Sequence, residues 1–210
     1  MSGMNMRFSG KVVFVAGGTG GLGRAVSRAF LEEGARVVVT YRDEKEFDSL
    51  KSEAGANGSS IEGHVADVTD ETAVRQLFDR VLAQQGRLDA LVNTVGGYAG
   101  GVNLWELDTK VFDKMLALNL RSGYVLARAA MPTMLKQKHG AIVNVAAKAA
   151  LDHGAGAAAY AASKAAALAL MDSLAADAKG AGDFGLQPKR FVAIRERITQ
   201  LPEQGARPAT

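Results

Sequence analysis

Apolar residues in this chain gather in short unbroken runs, and between the runs they recur every three or four positions. Lys11-Val-Val-Phe-Val-Ala16 runs into a cluster of glycines and is followed by Leu22 to Glu33 with helical spacing, a pattern that predicts strand, tight turn and helix. Arg36 to Thr40 predicts a second strand, and the charged stretch Asp43 to Ala54 a helix closed by Gly55. Ser60 to Ala66 is a third strand. The helix after it, Asp70 to Gln85, opens on Thr69-Asp-Glu-Thr, which offers a capping oxygen and acidic side chains at the positive end of the helix dipole. Next come a strand from Ala90 to Val95, a glycine-rich loop from Gly96 to Gly101, and helices from Thr109 to Leu118 and Leu120 to Lys138. Pro132 is expected to kink the second of these helices. Ala141 to Val145 is a fifth strand and Tyr160 to Ala178 an alanine-rich helix, whose small side chains let a neighbouring helix approach closely. Unbroken apolar strands alternating with helices imply a parallel sheet covered on both faces, the doubly wound α/β class, in one domain.

After Gly182 the texture changes. Three of the four prolines (Pro188, Pro202, Pro208) fall there, and no strand pattern longer than Phe191 to Ile194 appears. The expected division is therefore a domain over residues 8–182 and an atypical tail over 183–210.

Composition narrows the function classes. The 210 residues are 48% apolar and 22% charged, the profile of a folded globular chain. There is no cysteine, which removes disulfides, thiolate zinc sites and a cysteine nucleophile. The 25 Lys and Arg against 22 Asp and Glu give a net charge of +3, but the basic residues are scattered, which argues against nucleic acid as a partner. Near the N-terminus the only apolar run is Val12 to Ala16, too short for a signal sequence or a membrane span, so the expectation is a cytoplasmic protein acting on a small molecule.

Two short patterns carry candidate chemistry. Gly17-Gly-Thr-Gly-Gly-Leu-Gly23 sits between the first strand and the first helix, where glycines bring the backbone close to a pyrophosphate and the helix N-terminus supplies N–H donors. The run reads either as GxGxxG (Gly18, Gly20, Gly23) or as GxxxGxG (Gly17, Gly21, Gly23), with Thr19 and Leu22 in the same turn. Tyr160-Ala-Ala-Ser-Lys164 sets a phenol and an ammonium group four residues apart on one helix face. A nearby cation favours the phenolate, so the expectation is a Tyr160 pKa moved down from ~10 toward proton exchange at working pH.

Taken in this order, the two patterns resemble the short-chain dehydrogenase/reductase family, and the resemblance runs from about Phe8 to Gly182. Asp67-Val68 after the third strand is similar to the family's adenine-contacting pair, and Asn93-Thr-Val-Gly96 to its NNAG segment. Asn119 is similar to the helix asparagine that holds a proton-relay water. The resemblance implies a Rossmann-type sheet and a homodimer or homotetramer built on the two long helices. It also implies Tyr160 as proton donor or acceptor, and Lys164 as the group that tunes it and holds the nicotinamide ribose. Taken alone, Asn119 also reads as a helix-start residue and Asp67 as a turn former. At the end of the second strand, where an acidic residue in this family selects NAD, the chain has Tyr41 and then Arg42, which suits the 2′-phosphate of NADP. The expectation is NADP(H), with NAD(H) kept open by Asp43; Arg42 also reads as a solvated charge.

Two features depart from the family. Its usual serine, thirteen residues before the tyrosine, is replaced by Ala147. Ala146 to Asp152 and the loop Gly96 to Gly101 resemble the dihydropteridine reductase branch, which also lacks that serine, and this implies a quinonoid or otherwise activated acceptor. Lys148 and His153 read as surface residues, and His64 as a strand end. Tyr98 and Trp105 read as the walls of a planar-ring pocket, or as a lid or core anchor. In the tail, Asp183 to Arg190 stands where a further strand and a Pro-Gly turn are expected, so a truncated or altered end is the second departure. Together they leave a rival expectation, a dinucleotide-binding protein without turnover.

Overall fold

The computed structural model describes residues 6–180, so the tail over 183–210 lies outside the described residues. Five strands, β1 (Val12–Ala16), β2 (Arg36–Tyr41), β3 (Ile61–Val65), β4 (Ala90–Asn93) and β5 (Ala141–Asn144), form one sheet in the order β3-β2-β1-β4-β5. All four pairings are parallel. From β1 the chain builds outward to β3, returns, and adds β4 and β5 on the other side. Helical connections therefore leave β1 and β4 in opposite directions, and a crevice opens at their carboxyl ends. Ala16 is in register with Asn93, and Asn93 with Asn144, so the segments after β1, β4 and β5 leave the sheet at one level.

The unbroken apolar runs are explained by burial on two sides. Val12, Phe14 and Ala16 of β1 pack with α3 (Glu71–Gln85), α5 (Ser122–Gln137) and Met171 of α7 (Ala158–Gly180). Val13 and Val15 pack on the opposite face with Leu31 of α1 (Gly21–Glu32) and Leu50 of α2 (Glu44–Glu53). Asp43, Asp70 and Asp108 cap α2, α3 and α4 (Thr109–Leu116) by accepting from backbone N–H groups two or three residues on. Among the described residues no helix is long and apolar enough to cross a membrane.

Two local features differ from the sequence expectation. The helices expected on either side of Asn119 are one continuous rod, α4 joined to α5 through a π-helical turn over Ala117–Arg121. It runs on through Pro132 without ending there. A short helix, α6 (Ala149–Asp152), lies between β5 and α7, where the sequence pattern assigned no element. Lys164, Ala167, Met171 and Ala178 lie on the buried side of α7, so the reactive end of that helix and its packing face are continuous.

At the opposite, amino end of the sheet Asp89 is 5% exposed. Its carboxylate accepts from Val12 N (2.9 Å) and from two nitrogens of Arg87 (2.6 and 2.7 Å), with Lys11 Nζ at 3.4 Å and His139 Nε2 at 3.5 Å. Burial alone would raise its pKa, but the Arg87 hydrogen bonds, the Val12 N–H and the charges of Arg87 and Lys11 hold it below the usual carboxylate range. A carboxyl depressed in the folded state stabilises the fold above its unfolded pKa, and that contribution disappears as pH falls through the folded value. Asp89→Asn is therefore expected to cost about 2 kcal/mol at neutral pH, the scale of hydrogen bonds to a charged group. Urea melts from neutral to acid pH check this: the deficit should shrink in acid, and a constant deficit would show that the charge is immaterial.

Candidate active site

The glycine turn begins where β1 ends. Gly17 has φ +72°, in the left-handed region that favours glycine, and its N–H donates to Thr40 Oγ1 (2.9 Å). Gly18 N–H donates to Thr40 O (3.1 Å), and a side chain at Gly18 would press into Val39. Thr94 Oγ1 donates to Ala16 O (2.7 Å), with Gly17 O at 3.2 Å, tying β4 to the turn. A Cβ at Gly23 would overlap the Gly17 carbonyl, so α1 rests directly on the turn. At Gly21 a Cβ would meet nothing within 4 Å, and at Gly20 only Gly17 O at 3.5 Å. Gly17 thus supplies the turn, Gly18 and Gly23 the close contacts, and Gly20 and Gly21 the open side, so members of both the GxGxxG and the GxxxGxG patterns have structural roles. Leu22 is 46% exposed, whereas Thr19 is buried and donates to Glu46 Oε2 (3.0 Å).

Unlike α2, α3 and α4, α1 begins at Gly20 with no side-chain cap, and unlike α2 and α3 it has no acidic residue in its first turn. The Glu46 carboxylate at this turn is bonded by Thr19 Oγ1 (3.0 Å), and the α1 N–H groups and the positive end of the helix dipole lie beside the open side of Gly21. That is what an anionic diphosphate requires of a backbone, so these residues fit a dinucleotide.

Beyond the turn, Tyr41 is half-buried and its ring stacks on Phe47 (centroids 4.8 Å apart, planes 4° apart). Arg42 is exposed. Asp43, which on sequence kept NAD open, caps α2 by accepting from Lys45 N (2.8 Å). Asp67 is exposed and forms a turn, its Oδ1 accepting from Thr69 N (2.8 Å) and Thr69 Oγ1 (2.7 Å). These bonds, with a contribution from the Arg42 charge, hold its carboxyl below the usual range. Val68 is buried in the core beside it.

The second group of candidates converges at the ends of β4 and β5. Asn93 Nδ2 donates to Asn144 Oδ1 (2.7 Å) and Ser122 Oγ (3.1 Å), while its Oδ1 accepts from Val95 N (3.1 Å). Asn93 thus ties β4, β5 and α5 together and sets the path of the loop that follows. Asn119, 1% exposed in the π-helical turn, clamps that loop: its Oδ1 accepts from Gly97 N (2.9 Å) and its Nδ2 donates to Gly97 O (3.0 Å). The same Nδ2 lies 3.0 Å from Ser163 Oγ, which donates to Tyr160 O (2.9 Å). A Cβ at Gly96 would sit 2.8 Å from Asn119 Oδ1 and 3.2 Å from Lys164 Nζ, so only glycine leaves room there. Asn119 is therefore a clamp through its side chain rather than a free helix-start residue.

Lys164 is 5% exposed, and its Nζ donates to Val145 O (2.8 Å). Burial pushes its ammonium pKa down. Tyr160 is half-buried one helical turn earlier, and burial pushes its phenol up, with the neighbouring Tyr98 adding to the effect. This runs opposite to the downward shift expected from the Tyr160–Lys164 spacing, because the ammonium is directed at a backbone carbonyl while desolvation dominates at the phenol. At neutral pH Tyr160 holds its proton, the state a proton donor needs.

Several partners in this site carry no sequence signal of their own. Thr40, Thr94, Ser122, Asn144 and Ser163 act through hydrogen bonds across 3 to 78 positions of chain. Of these only Thr94 and Ser163 stood inside a motif. Lys148 pairs with Asp152 (3.1 Å) and is 76% exposed at its side chain, while His153 Nδ1 contacts Leu151 O (2.6 Å). Neither is held toward Tyr160 by a hydrogen bond. His64 contacts Glu62 (2.6 Å). Trp105 and Tyr98 are 82% and 70% exposed, so neither is a core anchor.

The family model described as short chain dehydrogenase matches residues 11–182. The 3-oxoacyl-(acyl-carrier-protein) reductase FabG of Thermotoga maritima is 30% identical over 175 residues, covering 83% of this chain and 71% of the relative. Across the first three curated relatives the matched stretch takes in 60% to 71% of the relative's length. Among solved structures, a metagenomic short-chain oxidoreductase in complex with NADP is 36% identical with a TM-score of 0.78, covering 83% of this chain and 79% of its own. An NAD+-bound xylitol dehydrogenase is 28% identical with a TM-score of 0.79, covering 84% and 68%.

Proposed function

The chain belongs to the short-chain dehydrogenase/reductase family of NAD(P)-dependent oxidoreductases, and on that premise we propose that it transfers hydride between NADP(H) and a small organic substrate. The observation that carries the reading is the convergence of a half-buried phenol, a buried ammonium group and an uncapped glycine turn at the carboxyl ends of β1, β4 and β5. Gly17, Thr19, Gly20, Gly21, Leu22 and Gly23 form the diphosphate turn, Tyr41, Arg42, Asp67 and Val68 flank the adenosine, and Asn93 and Gly96 line the path to the nicotinamide. A bound nicotinamide supplies or accepts the hydride.

The chain's own groups handle the proton. Tyr160 donates from its hydroxyl to the substrate atom that gains charge, and Lys164 holds the ribose and supplies positive charge as the phenolate forms. Asn119 keeps Gly96 and Gly97 from closing on Lys164. With Ala147 in the serine's place, one donor to the substrate oxygen is missing, a loss commonly worth ~10² to 10³ in rate. The reading therefore favours an acceptor that is already polarised, a quinonoid dihydropteridine-like ring or an activated carbonyl. The same alanine supports the second reading, a dinucleotide-binding protein without turnover. Titration with NADPH followed by a panel of carbonyl, imine and quinonoid acceptors separates them. The first reading expects NADPH oxidation with at least one activated acceptor, binding with none supports the second, and no binding refutes both.

NADP(H) is placed ahead of NAD(H) because Arg42 is exposed just past β2 while Asp43 is engaged as a helix cap. Arg42→Ala is expected to weaken NADPH binding about tenfold, the scale of one charge-assisted hydrogen bond, with NADH affinity little changed. An equal effect on both would make Arg42 a solvated charge. We also take residues 8–182 as the functional domain, the cytoplasm as its place, and a homodimer or homotetramer as its state. A groove of about 460 Å³ lined by Leu120, Tyr124 and Leu170 of the helices expected to pair, with Asp113 and Leu116 of α4 and Arg121 beside them, supports the last point.

A further inference from the structure

The loop after β4 carries an exposed apolar surface that the proton and dinucleotide chemistry leaves unused. Tyr98, Val102, Leu104 and Trp105 lie on it, Leu151 lies on α6, and their exposures run from 42% to 82%. These five are half of the ten large apolar side chains exposed among the described residues, gathered on two segments of the chain. Isolated exposed apolar residues are ordinary, whereas four on one loop that contacts the reacting phenol are candidates for a binding surface.

Three contacts fix this surface against the reacting phenol. The Tyr98 ring stands edge to face with the Tyr160 ring, centroids 5.0 Å apart and planes 76° apart. Gly101 N and Val102 N donate to Gly156 O (2.8 and 3.4 Å), joining the loop to the segment that leads into α7 and Tyr160. Tyr98 folds back over Gly100, where any Cβ would overlap its hydroxyl, so the ring has a defined position despite its exposure. The base of the loop is held by Asn119 at Gly97, which leaves the outer rim as the part free to meet a ligand.

Resting on the oxidoreductase reading above, we propose that Tyr98, with the exposed Val102, Leu104 and Trp105 of the same loop and Leu151 of α6, forms a substrate subsite for a planar, uncharged ring system, and that Tyr98 determines this specificity. A flat ring gains most from such a wall, because it offsets the desolvation of both faces against aromatic and aliphatic side chains without an ion to strip of water. A small polar ketone reaches Tyr160 without touching the rim.

The chain contains a single tryptophan, Trp105, so its emission reports on this surface alone. Titration with α-tetralone, a bicyclic aromatic ketone, is expected to give a saturable change in Trp105 emission, and acetoin, a small polar ketone, none. Tyr98→Ala should weaken α-tetralone binding about tenfold, Tyr98→Phe should restore it, and NADPH affinity should stay constant in both. In turnover with NADPH, Tyr98→Ala should raise KM for α-tetralone about tenfold more than it raises KM for acetoin, whatever common change in kcat follows from its contact with Tyr160. No saturable response to α-tetralone, or equal losses for both ketones, would overturn the subsite while the reductase reading stands. Tyr98-dependent α-tetralone binding without NADPH oxidation by any acceptor would uphold the subsite and overturn the reductase reading.

Discussion

Tyr160→Phe is expected to lower kcat about a thousandfold, within the range contributed by a positioned general acid, and to leave the Kd for NADPH within about twofold of the parent. The substitution removes one hydroxyl from a half-buried ring that packs edge to face with Tyr98, and among the described residues that hydroxyl makes no hydrogen bond. Its effect on folding should be small, because the α7 contact at this residue runs through its backbone carbonyl to Ser163. The pH dependence adds a second readout. Burial and Tyr98 push the phenol above its ordinary range, so reduction in the parent should stay flat through neutral pH and decline only in alkali, as the phenol loses its proton. Turnover in the variant equal to the parent's would remove Tyr160 from the chemistry.

The glycine turn gives the other large effect, and a contrast between two of its positions makes that effect diagnostic. Gly23→Ala drives a methyl group into the Gly17 carbonyl. Gly17 cannot easily retreat, since its φ of +72° and its N–H bond to Thr40 already fix it. Gly23→Ala is expected to destabilise the fold by ~2 kcal/mol, as overpacking does, and to weaken dinucleotide binding at least ~100-fold as the turn distorts. Gly21→Ala meets no protein atom within 4 Å, so its melting temperature should match the parent's. Its methyl group instead occupies the space on the open side of the turn, and binding should fall by a similar factor with stability intact. Parallel thermal melts and NADPH titrations read both variants. Unchanged affinity in Gly21→Ala would move the diphosphate away from this turn.

Strand positions were legible where strands are buried on both sides, as in β1, β2 and β4, which leaves a mark of continuous apolar runs in the chain; the edge strand β3 buries only Ile61. The glycine turn was legible as a location, while the roles of its members were not, because the two overlapping patterns share Gly23 and differ only in backbone angle and packing. Gly17's positive φ, the crowding at Gly18 and Gly23 and the open space at Gly20 and Gly21 assign those roles, and none of these properties has a one-letter signature. The π-helical turn at Ala117–Arg121 was read as a break between two helices. An extra residue accommodated inside a rod disturbs hydropathy periodicity much as a short connection does.

The candidate site shows the same limit. Tyr160 and Lys164 were found from their spacing on one helix, but the sign of the Tyr160 shift was misread, since spacing reveals a nearby cation and not which carbonyl that cation faces. The links among Asn93, Asn144 and Ser122, and between Asn119 and Ser163, join residues 29 to 51 positions apart. Such bonds exist only once the sheet has set the register that brings Asn93 beside Asn144. Tyr98 and Trp105 were singled out as aromatics in a loop, and their exposure, which separates a ligand-facing surface from a core anchor, became visible only in the fold.

The central claim is that a nicotinamide lies beside Tyr160 when the dinucleotide spans the crevice between β1 and β4. A crystal structure of the chain grown with NADP+ tests it most directly. The account predicts the diphosphate on the open side of Gly21, the nicotinamide ribose on Lys164 Nζ, and the nicotinamide ring against the Tyr160 hydroxyl. A dinucleotide bound elsewhere, or bound in the crevice with the Tyr160 hydroxyl directed away from its nicotinamide, would contradict it.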